Sequence, residues 1–129
     1  MYVSVWKGDI AELEFEVQAT RRKLVVSRPV ITHDYDRIVD NGKKRLRIQI
    51  KSTFTEGPNY GLNIAKGMTN KKTYTREEID FIVCFINELK SWYIFPIEVV
   101  EGLQKVTVSP DSVESKWNKY RDSWGSLLN

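Results

Sequence analysis

An Asn-Gly pair at positions 41 and 42, set between two runs of apolar and β-branched residues, constrains this chain more than any other feature. Both residue types tolerate positive φ, so the pair marks a tight hairpin and predicts strands over residues 35–40 and 45–53. In the second arm Leu46, Ile48 and Ile50 share one face, while Arg45, Arg47, Gln49 and Lys51 share the other. Gln49 and Lys51 therefore point the same way.

The remaining elements follow from periodicity. Trp6, Ile10, Leu13 and Val17 recur at intervals of 4, 3 and 4, the spacing of one buried helical stripe. The alternation of Leu13, Phe15 and Val17 with acids also fits a strand, but the longer pattern favours a helix. A short β-branched run at 24–26 ends at Arg28 and Pro29, as at the end or edge of a strand. Residues 55–74, rich in Gly, Asn and Lys, are expected to be loop. Thr75 with Glu78 is a capping-box pattern for one helical turn. Residues 81–86 are apolar throughout and of strand length, residues 92–95 return as a second hairpin, and residues 104–108 suit an edge strand. After Pro110, the residues Val113, Trp117, Tyr120, Trp124, Leu127 and Leu128 predict an amphipathic helix over 111–128. The expected fold is α/β (α+β): a mixed central sheet flanked by helices, in the order α-β-β-β-(loop)-β-β-α, with one domain over 1–129.

Composition narrows the chemistry. With Cys84 the single cysteine and His33 the single histidine among 129 residues, disulfide scaffolds, thiolate clusters and sites needing two imidazoles are excluded. No apolar run approaches the roughly 18 residues a membrane span needs, and the first residues lack the pattern of a secretory signal, so a soluble, cytoplasmic protein with no membrane partner is expected. The net charge is +3, unevenly placed. Lys43, Lys44, Arg45, Arg47 and Lys51 crowd one segment, Lys66, Lys71, Lys72 and Arg76 another, and acids gather at 9–16 and 98–101. These are solvated faces or, equally, the surroundings of a site that handles a polyanion with the help of a cation.

One constellation can carry chemistry: Glu12 on the first helix, Asp36 on the first hairpin arm, and Gln49 with Lys51 on the second. Adjacent strands bring Asp36 near Gln49 and Lys51 if their side chains share a face. Hydrolysis of a phosphodiester calls for a hard divalent ion, and Mg2+ (or Mn2+ in its place) takes oxygen ligands. Asp36, Glu12, the Gln49 side-chain oxygen and the Ile50 backbone carbonyl offer such a set, with Lys51 beside them to orient water and stabilise charge. Each residue also has a plainer reading. Glu12 can cap a helix with Asp9, Asp36 can pair with Arg37 at the surface, and Gln49 and Lys51 can lie on the solvated face of an edge hairpin. Asp34, two residues from Asp36, can replace it as ligand; Asp40 suits the turn, His33 a polar surface, and Cys84 the core.

The segments KGDIAE at 7–12, YDRIVDNGKKRLRIQIKST at 35–53 and EIDFIVCFINELKSWYIFPIEVV at 78–100 together resemble the PD-(D/E)XK nuclease superfamily. More narrowly they resemble its small branch of cyanobacterial-type intron-encoded homing endonucleases, whose third motif reads QxK. The similarity runs from 7 to 100 in order, with NKYRDSW at 118–124 also similar. It implies a restriction-endonuclease-like core, the helix acid at Glu12, the metal-binding aspartate at Asp36 and the QxK pair at Gln49 and Lys51. It further implies Mg2+-dependent cleavage of double-stranded DNA by a homodimer or homotetramer. Family members also include branched-DNA resolving enzymes, and a catalytically silent DNA-binding module on the same scaffold is the alternative. Tyr35 precedes Asp36 where the family has proline, and Gln49 replaces an acid, which lowers the expected metal affinity unless Glu12 compensates. Lys43, Lys44, Arg45, Arg47, Lys66, Lys71, Lys72 and Arg76 are the candidates for DNA contacts, and the C-terminal helix is a candidate subunit interface.

Overall fold

In the computed structural model, which describes residues 3–31, 33–67 and 72–129, the hairpin lies at the middle of the fold. Strands β1 (Val25–Ser27), β2 (Arg37–Asp40), β3 (Arg45–Thr53), β5 (Phe81–Ile86) and β6 (Ser91–Pro96) form one sheet in the order β1-β2-β3-β5-β6. All neighbours are antiparallel except β3 and β5, which run parallel. Helix α1 (Val3–Arg21) packs on one face. The β2–β3 turn spans residues 41–44. Asn41 caps it by accepting the backbone N–H groups of Lys43 and Lys44 at 2.9 Å, Asp40 accepts that of Gly42 at 2.8 Å, and only Gly42 takes positive φ, at 86°.

The sheet is covered on both faces. Alternation along β3, β5 and β6 sends Ile48, Ile50, Val83, Phe85, Trp92 and Ile94 toward α1, and Ile82, Cys84, Ile86, Tyr93 and Phe95 the other way. That second layer is built by β4 (Tyr60–Asn63) and β7 (Lys105–Val108), paired antiparallel in a small sheet of their own, with α2 (Ile97–Val100) beside them. Burial raises the Cys84 thiol to about 12, with the Lys51 charge offsetting only a part, which suits a core residue.

Three expectations need correction. The Trp6, Ile10, Leu13, Val17 stripe is the outer face of α1, each residue between 40% and 61% exposed; Ala11, Phe15 and Ala19 form the buried face. The predicted 55–74 loop contains β4. The predicted helix over 111–128 is a series of turns with a 3₁₀ turn at Asn118–Tyr120 and one helical turn, α3 (Gly125–Leu128). Its aromatics divide between the layers: Trp124 stacks on Phe15, whereas Trp117 and Tyr120 pack on Phe95. They serve the core of the chain that carries them. Among the described residues no helix is long and apolar enough to cross a membrane.

Candidate active site

The antiparallel register pairs Arg37 with Ile48, so the preceding residue, Asp36, falls opposite Gln49 at the open end of β2. Asp36 Oδ2 accepts the Ile50 N–H and the Gln49 side-chain Nε2–H, both at 3.0 Å. The central position of β3 buries Gln49 under the second layer, not on a solvated edge. Lys51, two residues on and on the same face, donates to the Ala65 carbonyl at 3.0 Å and lies 5.5 Å from the Tyr74 ring centre.

Glu12 comes to this end from the other face. It lies inside α1, well past the first turn at Val3, so it caps nothing. Its flank also carries Glu16, one turn on. Arg37, whose register with Ile48 directs it toward α1, donates to Glu12 at 3.0 Å, to Glu16 at 2.6 Å and to the Asp36 carbonyl at 2.7 Å. Arg28 holds Glu16 from the outside, and Arg28 with Arg37 draws the Glu16 carboxyl down to about 2. An open cleft of about 360 Å³ runs between α1 and the β1–β2 connection, with Glu12, Asp36, Arg28, Arg37, His33 and Tyr35 in its wall.

The electrostatics link these groups. Burial raises the Glu12 carboxyl, and the Asp36 charge raises it further against the pull of Arg37. Burial also raises Asp36, opposed by the Ile50 N–H and by the charges of Arg37 and Lys51. The same burial lowers the Lys51 amine, partly offset by Asp36. Two partly buried carboxylates, next to a backbone carbonyl and a primary amide, form an oxygen-rich site that fits a hard divalent cation. Among the described residues no group of three or more His, Cys, Asp or Glu side chains surrounds a common point. A cation here would therefore rely on Gln49 and the Ile50 carbonyl beyond the two acids.

The structure thus brings Glu12, Asp36, Gln49, Ile50 and Lys51 together, and directs Asp34 elsewhere, to Lys66 at 2.9 Å. The basic candidates separate into two sets. Arg47 pairs with Asp80, Lys66 with Asp34 and Glu78, and Arg76 with Glu101. Lys43, Lys44 and Lys72 are exposed with no acid partner among the described residues, and Arg45 is 78% exposed, 3.6 Å from Asp40. Lys71 lies outside the described residues. Arg37 is the residue that reading for ligands overlooks. The Glu12/Glu16 spacing and the register of β2 are the signals that find it.

The model of the PD-(D/E)XK endonuclease family matches residues 4–126, nearly the whole chain. The chain belongs to that family. Among solved structures it is similar to the bacterial homing endonuclease I-Ssp6803I, with a TM-score of 0.78 and 24% identity over 95% of this chain and 88% of that one. No curated protein matches it. The likeness in fold agrees with the restriction-endonuclease-like core expected from the motifs, and the family is one of endonucleases.

Proposed function

We propose that this endonuclease cleaves double-stranded DNA at particular sequences or structures, in the manner of a homing enzyme, with Mg2+ (or Mn2+) as cofactor and as a homodimer or homotetramer. The observation that carries the reading is the position of Asp36: opposite Gln49, bonded to the Ile50 N–H, and within electrostatic reach of both Glu12 and Lys51.

Asp36, Glu12 and the Ile50 carbonyl would hold the cation, with the Gln49 oxygen joining them after its amide rotates. When bound, a hard divalent ion supplies positive charge against the phosphate and acidifies water. Arg37 fixes the Glu12 carboxylate and neutralises part of its charge until then. Lys51 is anchored through one of its three N–H groups to Ala65, which leaves the others to orient a water and to meet charge growing on the phosphate. Lys43, Lys44, Arg45 and Lys72 are the side chains open to phosphate contacts. Arg45 lies four residues from Gln49 along β3, about 13 Å, so the turn reaches DNA flanking the scissile bond. Cutting both strands needs two such sites, hence the oligomer.

A second reading, a DNA-binding module without catalysis, is favoured by one detail: Arg37 and Gln49 already satisfy Glu12 and Asp36 within the chain. One assay decides. Supercoiled, linear and four-way-junction DNA are incubated with the protein and Mg2+, Mn2+ or EDTA. Cleavage that EDTA abolishes supports the enzyme; salt-sensitive binding with no cleavage under any metal supports the inert module.

A further inference from the structure

The outer face of α1 is apolar where a helix on a monomer would be polar. Trp6, Ile10, Leu13 and Val17 are 61%, 40%, 51% and 46% exposed, and Val3, in line with them, is 53% exposed. They continue along four turns on the side opposite Ala11, Phe15 and Ala19. The order 3, 6, 10, 13, 17 is a heptad seam, with β-branched residues at 3, 10 and 17 and Trp or Leu at 6 and 13. Such a seam on a soluble chain marks an interaction surface.

We propose that this seam packs against the same seam of a second copy of the chain, with the two α1 helices antiparallel about a two-fold axis. The inference deepens the oligomer part of the function proposed above by naming its surface and geometry. Antiparallel packing seats Trp6 against Val17 and Ile10 against Leu13, and the Trp6 layers set a large side chain against a smaller one. It also sets Lys7 of each helix beside Glu14 of the other, giving two ion pairs by symmetry.

The charges choose this direction. Glu14 has no ion-pair partner among the described residues, and exposed Lys7 makes only a cation–π contact with Phe54, 5.4 Å from the ring centre. A parallel pair would instead set Asp9 against Glu14 of the other helix, a repulsion. Its one compensating pair, Glu16 with Arg21, would compete with the bonds that Glu16 already makes to Arg28 and Arg37. The antiparallel pair does bring Asp9 toward Glu16 of the other helix, but those same two arginines neutralise Glu16. Function points the same way. Glu12 and Glu16 lie on the flank away from Lys7 and Glu14. In an antiparallel pair both acid flanks emerge on one side of the dimer, so both clefts can face one duplex. In a parallel pair they emerge on opposite sides.

Sedimentation equilibrium of the full chain tests the proposal. A dimer is expected for the wild type. Leu13→Asp should weaken it at least about a hundredfold, leaving a monomer with unchanged helical and sheet circular dichroism. Lys7→Glu and Glu14→Lys should each weaken the dimer several-fold, and the double variant should restore it. A wild-type monomer at all concentrations, or a dimer indifferent to Leu13→Asp, overturns the interface. A dimer tightened by Glu14→Lys alone overturns the antiparallel geometry. The readout is mass, so a dimer without cleavage would leave the interface standing and remove only the enzymatic reading.

Discussion

Asp36→Asn should abolish cleavage, by at least about a hundredfold, and at the same time make the protein more resistant to heat at neutral pH. The activity loss follows from removing a charged oxygen donor at the point where Gln49, Ile50, Glu12 and Lys51 converge. The gain in stability follows from the sign of the carboxyl's shift. Burial raises Asp36 above its ordinary value of 3.8. The folded state therefore binds this proton more tightly than the unfolded state, and stability declines as pH rises through the folded value. The substituted amide is neutral at every pH. Its oxygen can still accept the Ile50 N–H, and Gln49 can rotate its own amide to accept in turn. The difference in melting temperature between variant and wild type should be smallest below the ordinary value of 3.8 and grow as pH rises through the folded value. Mg2+ should reverse the order, because a ligand of the native state stabilises only the chain that binds it. Melting curves across pH, with and without Mg2+, and a plasmid assay measure all of this. A variant that melts lower than wild type at pH 7 without metal would contradict the cause given for the shift.

The same residues show how far the sequence could be read. Asn41-Gly42 and the alternation after it fix the hairpin, and with it the pairing of Asp36 with Gln49, because a local turn sets the register of adjacent strands. The apolar run at 81–86 reads as a buried strand for a similar reason: nothing but a central position tolerates six buried side chains in sequence. Strand β4 is hidden because its partner, β7, lies more than forty residues away, and a short alternation of Tyr60 and Leu62 inside a Gly- and Asn-rich segment carries no local signal. The C-terminal aromatics do recur at helical spacing. They are divided between the two layers, however, Trp117 and Tyr120 on one and Trp124 on the other, and Asp122, at positive φ, accepts the Trp92 N–H and the Ser91 hydroxyl in place of a helical bond. Tertiary packing wins over periodicity there. Helix α1 carries two stripes, and periodicity reports the one with the larger residues.

Phe15→Ala should be the most damaging single truncation on α1, costing about 3–5 kcal/mol. Phe15 is fully buried, with its ring stacked on Trp124 and edge-on to Trp92, each 5.7 Å between centres. Ala11 and Ala19, one turn to either side, let the helix approach the sheet closely enough for that ring to reach both indoles, so no neighbouring side chain is positioned to fill the space it leaves. Leu13→Ala, two residues away on the outer face, should leave the intrinsic stability of the monomer within about 0.5 kcal/mol of wild type. Urea titrations of both variants, each combined with Ile10→Asp so that self-association does not enter, compare the two faces directly. A Leu13 truncation as costly as that of Phe15 would reverse the assignment of inner and outer face. The consequence reaches the site. Glu12 sits on the flank between the two stripes, and its angle toward Asp36 is set by Phe15 pinning the helix from within. Phe15→Leu, which keeps part of the anchor, should therefore lose cleavage activity out of proportion to its loss of stability.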